Sequence, residues 1–165
     1  MSRAFFTDVA DALRGFLPRE LRAFSSYTGA HNVKVWYGAD SHEHYEVQLI
    51  SRSALKAGKK AGTGPALEIG FHSEHPSADD NERAIERVHE AIKTLGRPAE
   101  AGRFLGRQSS WMRVSEIWEG DTITAPEAAI EAAERLANYI RAIEKLRATV
   151  DGRSPRASRP TGRRR

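Results

Sequence analysis

The sequence predicts an α+β fold, a two-layer sandwich with an antiparallel sheet of about five strands and helices packed on one face. Three observations predict it. In 66–75, Leu67, Ile69 and Phe71 alternate with Glu68, Gly70 and His72, the two-residue period of a strand with one face in a core. Segments 3–17, 77–95 and 124–150 each carry a single apolar stripe at helical spacing, which needs a sheet face to bury against. Short polar links, Gly38-Ala39-Asp40-Ser41 and Ser109-Ser110, join alternating segments as hairpin turns do. The element order is α(α)βββαββα, with the strand between Pro65 and Pro76 in the middle of the sheet.

Taken in order, Phe6, Val9, Leu13 and Phe16 give the first helix its stripe, and Pro18 ends it and opens a short turn over 19–24. Residues 25–32 read as a loop. Val33, Val35 and Tyr37 alternate with Lys34 and Trp36, then Tyr45, Val47 and Leu49 with His44, Glu46 and Gln48, which makes a hairpin. Residues 51–64 form a polar loop with Lys56, Lys59 and Lys60. It is no phosphate loop, because the lysines precede the last glycines and a strand follows. Ile85, Val88, Ile92 and Leu95 stripe one helix, closed by Gly96 and Pro98. A loop over 99–103 leads to a second hairpin, 104–108 with 111–118. Thr124, Pro126 and Glu127 start the last helix, where Glu131 and Arg135 form an outer i,i+4 pair.

The charge divides unevenly. Of 26 basic and 22 acidic residues, Arg153, Arg156, Arg159, Arg163, Arg164, Arg165 and Asp151 fall in 151–165, leaving 20 basic and 21 acidic in 1–150. The reading is one α+β domain over 1–150 and a disordered Arg-rich tail over 151–165. With no cysteine, disulfides and thiolate metal sites are excluded. No run approaches the 18 or so apolar residues of a membrane span, and no signal segment is evident, so a cytoplasmic location is expected.

Strand parity gathers the titratable residues. With the odd positions from Tyr45 to Phe71 turned to the helices, the other face carries Trp36, His44, Glu46, Gln48, Glu68, His72 and Arg113. Three uses compete with the simplest reading, a solvated sheet face. Trp36 with Arg113 and Lys34 suits a partner or an aromatic ligand. Nucleic acid would draw on the tail arginines with Lys56, Lys59 and Lys60, although Glu46 and Glu68 repel phosphate on the face itself. His42, His44 and Glu46, two apart on one strand, with Glu68 and His72 beside them, are metal-ligand types for a small hydrolase. Nucleophilic catalysis has no Gly-x-Ser-x-Gly elbow and no thiol to rest on. Glu116 stands among Met112, Val114 and Trp118, half out of place.

Leu67-Glu68-Ile69-Gly70-Phe71, Asn81, the 85–92 stripe, Leu95-Gly96 and the 111–118 strand together resemble an uncharacterised bacterial α+β domain of unknown function, of the type found beside nuclease-like modules. The resemblance spans 33–146 and implies a fold but no activity, cofactor or site. The excess of Arg over Lys fits a bacterial source. The expected function is a non-enzymatic accessory or interaction domain using the open sheet face. Its partner is an unknown protein or a second copy, with nucleic acid through the tail as the first alternative and the metal-dependent hydrolase as the second. No catalytic residue, cofactor or bound metal is assigned.

Overall fold

Alternation along the strands becomes two chemically different sheet faces. The computed structural model describes residues 1–50, 65–105 and 110–150. Its elements are α1 (Arg3–Phe16), β1 (Ser25–Thr28), β2 (Asn32–Trp36), β3 (Glu43–Ile50), β4 (Ala66–Ser73), α2 (Ala78–Val88), α3 (Ala91–Leu95), β5 (Glu100–Arg103), β6 (Met112–Glu119) and α4 (Ala128–Val150). The strands form one antiparallel sheet in the order β1-β2-β3-β4-β6-β5. Phe6, Val9 and Leu13 of α1 and Leu136, Ile140 and Ile143 of α4 meet Val35, Tyr45, Val47, Leu67, Ile69 and Phe71 in one core. Each such side chain contributes roughly 2 kcal/mol by leaving water. No helix among the described residues is long and apolar enough to cross a membrane.

β4 is buried along its whole length, flanked by β3 and β6. Gly70 makes this closeness possible. A Cβ there would lie 2.4 Å from both the Ser115 Cβ and the Val114 carbonyl oxygen, so only a residue without one lets β6 approach.

Among the described residues the sheet has six strands, one more than the alternation predicts. Ser25–Thr28, read as loop, pairs with β2 from Ser25↔Trp36 to Thr28↔Val33. Being a polar, exposed edge strand, it has no apolar face to announce it. The hairpin partner of β6 is likewise Glu100–Arg103, the expected loop, and among the described residues the contact from Phe104 N–H to the Trp111 carbonyl is the one that falls in the expected hairpin. The 77–95 helix is broken at His89–Glu90, where hydrogen bonds span three residues rather than four. The last helix begins at Ala128, after a tight turn over Gly120–Ile123.

Glu116 points to the helices, and its partner is Arg135 rather than a solvent ion pair. Its Oε2 accepts from the Arg135 Nη2 at 2.5 Å and from Tyr139 Oη at 3.1 Å, while Oε1 accepts from Trp118 Nε1 at 2.7 Å. Arg135 therefore turns inward, away from the expected pairing with Glu131.

Candidate metal centre

The face away from the helices is dry over its middle. His44, Glu46, Glu68, His72 and Ser115 are at most 1 % exposed, and Arg113 is buried too. The expected open, solvated face is therefore absent at these positions: five of the seven candidate contacts are interior groups, and only Trp36 and Gln48 are half-buried. The Phe104 ring closes edge-on over His72 with centroids 5.5 Å apart, and Trp111 stands edge-on to Phe104 at 5.3 Å.

The register brings the titratable groups together. His44 is paired directly with His72, Glu46 with Gly70 and Gln48 with Glu68. Each histidine begins a His-x-Glu triplet, His44-Tyr45-Glu46 on β3 and His72-Ser73-Glu74 where β4 ends. Because the strands are antiparallel, the two triplets meet with their histidines opposed. One ligand atom from each of His44, Glu46, His72 and Glu74 lies within 4.8 Å of all the others. Glu46 Oε2 is 3.1 Å from His72 Nδ1 and 3.4 Å from His44 Nε2, and Glu74 Oε1 is 3.7 Å from that same His44 nitrogen.

A second ring of contacts orients these donors. His44 Nδ1 lies 2.8 Å from the Ser41 carbonyl. A carbonyl only accepts, so Nδ1 donates there, and Nε2 is the ring nitrogen turned to Glu46 Oε2 in the cluster. Glu46 Oε1 accepts from Asn32 Nδ2 at 2.6 Å. His72 Nε2 lies 3.4 Å from Glu68 Oε1, leaving Nδ1 toward Glu46. Glu68 is fixed in turn by Ser115 Oγ at 2.6 Å and Gln48 Nε2 at 2.8 Å. Arg113 steadies Ser115 at 2.5 Å and also reaches Glu100 at 2.9 Å and the Arg103 carbonyl at 3.1 Å.

His72 is the exception in this satisfied network. Both its ring nitrogens are near carboxylate oxygens, yet neither contact has the direction of a hydrogen bond, so a wholly buried imidazole has two orphaned nitrogens. Distance makes these ion pairs, and direction denies them the hydrogen bond. Burial alone would push His72 down, but the nearby charges of Glu68 and Glu46 overcome it and raise the group to about 10. Burial works upward on Glu46, and contacts with His44, His72 and Lys34 outweigh it, holding the carboxyl far below its usual range. Glu68 is lowered as well: burial opposes the shift, and the charge of His72 leads the groups that produce it.

Family models, curated proteins and solved structures give no match to this chain.

Of the metal ligands the sequence suggests, the fold gathers His44, Glu46 and His72 as a first layer. Glu68 stands behind His72 as its orienting carboxylate. His42 is half-exposed, pairs with Asp40 at 3.2 Å and stacks on His75. Glu74 is the candidate ligand that strand parity missed, because it lies just past the end of β4. The repeated His-x-Glu triplet is the signal that would have found it. Lys56, Lys59, Lys60, Arg153, Arg156, Arg159, Arg163, Arg164 and Arg165, the nucleic-acid candidates, lie outside the described residues.

Proposed function

We propose that this chain is a metal-binding α+β protein, holding one divalent first-row cation between β3 and β4 through His44 Nε2, His72 Nδ1, Glu46 and Glu74. The observation that carries the reading is His72, a buried imidazole whose nitrogens are aimed among carboxylates without a directed hydrogen bond. Metal bonds near 2.1 Å put neighbouring tetrahedral donors about 3.4 Å apart. The three separations around Glu46 and His44, at 3.1, 3.4 and 3.7 Å, straddle that value. The groups behind the rings are of the types metal-bound histidines favour: the Ser41 carbonyl, hydrogen-bonded to His44 Nδ1, and the Glu68 carboxylate, 3.4 Å from His72 Nε2. A donor set of two imidazoles and two carboxylates, with no thiolate in the chain, suits zinc, manganese, iron, cobalt or nickel rather than a soft ion.

An interaction surface needs exposed side chains, and burial has taken most of those from this face. A metal centre needs dry, oriented donors, which burial supplies. A metal-free charge network is the competing reading, with Lys34, His72 and Arg113 offsetting Glu46, Glu68 and Glu74. Calorimetric titration of the metal-free full chain with zinc and with manganese separates the two. One equivalent of tight binding, abolished in His72→Ala and in His44→Ala, is the expected result. No binding of either ion leaves the charge network as the function of these residues.

A further inference from the structure

We infer that the centre takes a small carboxylate ligand, which enters at Glu74, displaces that side chain from the cation and is received by Lys34; the inference rests on the metal-binding reading above. The four donors are not equally held. His44 and His72 are 0 % exposed and Glu46 is 1 %, whereas the Glu74 side chain is 14 % exposed and its neighbour Lys34 is 26 % exposed. The cluster therefore meets solvent on the Glu74–Lys34 side, while Phe104 stands over His72 on another.

The contacts differ in the same sense. Glu46 is anchored by Asn32 at 2.6 Å, His44 by the Ser41 carbonyl at 2.8 Å, and His72 sits against the immobilised Glu68. Glu74 lies beyond the last residue of β4, and its two oxygens both face the Lys34 ammonium at 3.4 Å. It is a carboxylate on a flexible stem, paired with a cation on another. Of the four, it can leave the cation without breaking the ladder or burying a bare charge.

What replaces it should match it in charge and size, because Lys34 remains to be satisfied and the other three donors are buried and held in place. A carboxylate meets those conditions: it takes up the coordination that Glu74 gives up and the ammonium contact that Glu74 leaves. Lys34 thus has two roles, counter-ion to Glu74 in the resting centre and anchor for the incoming anion. Its second contact, 3.7 Å to Glu46 Oε2, keeps the ammonium at the cluster while the partners exchange.

Cobalt(II), whose visible spectrum reports its coordination, tests this in the full chain. Acetate is titrated into the cobalt-loaded protein over a chloride background, with inorganic phosphate in a parallel series. The wild type should shift its visible bands with acetate. Glu74→Gln, loaded at saturating cobalt, should respond at acetate concentrations at least 10-fold lower, because the internal competitor is gone. Lys34→Met, loaded at saturating cobalt, should need at least 10-fold more acetate for the same spectral shift. Bands that acetate leaves unmoved in the wild type and in Glu74→Gln, a normal response in Lys34→Met, or a response to phosphate alone each overturn the inference while the metal centre stands. Failure to take up cobalt at all overturns the centre itself.

Discussion

His44 and His72 stand directly opposite one another on β3 and β4, their ring centroids 5.4 Å apart, and each is followed two residues later by a glutamate that bends back to the same point. The pairing makes the two triplets interdependent, since each glutamate reaches the other strand's histidine or its own only while the register holds. Removing either imidazole should therefore lower metal affinity by at least about 100-fold, more than loss of an orienting partner does. Ser115→Ala, which releases Glu68 behind His72, should cost about 10-fold. Competition titrations with a metal chelator of known affinity measure all three.

In the metal-free protein His72 also has an electrostatic role. Its imidazolium lies between Glu46 and Glu68, and none of the three is more than 1 % exposed. His72→Ala leaves two buried carboxylates without their nearest cation and should destabilise the fold by about 3 kcal/mol. Urea denaturation in the presence of a chelator gives the number. Glu46→Gln in the His72→Ala background should recover part of the loss, because it removes one of the charges left behind.

The inside–outside alternation of these strands was legible, because a two-residue period fixes which side chains share a face. It placed Tyr45 and Phe71 toward α4, where Tyr45 Oη donates to Glu144 at 2.7 Å, and it put His44, Glu46 and His72 together on the other side. It could not tell that this other side is dry. Burial there depends on groups distant in sequence, such as the Phe104 ring over His72, and alternation says nothing of what lies above a strand. Glu74 escaped notice for a related reason: its direction is set after the ladder ends, by Lys34 and His44. Arg135 has good outer-face spacing to Glu131, yet the rotation of α4 is set by Leu136 and Ile140 in the core, and that rotation aims Arg135 at Glu116.

Stability should depend on pH in a direction fixed by these groups. The His72 pKa is raised from 6.5 to about 10, so its contribution is complete below 6.5 and is lost as the pH climbs through 10. Glu46 and Glu68 are lowered from 4.5, so theirs is complete above 4.5 and is lost as the pH falls through their depressed values. The metal-free chain should therefore lose stability from neutral pH toward 10 at up to about 1.4 kcal/mol per unit. His72→Gln should flatten that limb. Metal should do the opposite, binding more tightly as the pH rises, because it competes with the proton on His72. Denaturation and metal titrations at pH 6, 7.5 and 9 test both slopes; parallel slopes with and without metal would falsify the assignment of His72 as a ligand.

Gly70 supplies a test in which no charge changes. Its missing Cβ is what lets Ser115 of β6 come against β4 and place its hydroxyl on Glu68. Gly70→Ala should push the strands apart at this step and cost about 1–3 kcal/mol, the usual penalty for overpacking. The same displacement draws Ser115 from Glu68 and frees the carboxylate that orients His72. Metal affinity should accordingly fall together with stability, although no ligand has been touched. Ser115→Gly relieves one of the close approaches, that of the Ser115 Cβ, but not those of the Ser115 Cα and the Val114 carbonyl oxygen. The double variant should regain only part of the stability and none of the affinity, because the hydroxyl is gone. Full recovery of metal binding in the double variant would show that Ser115 does not orient Glu68.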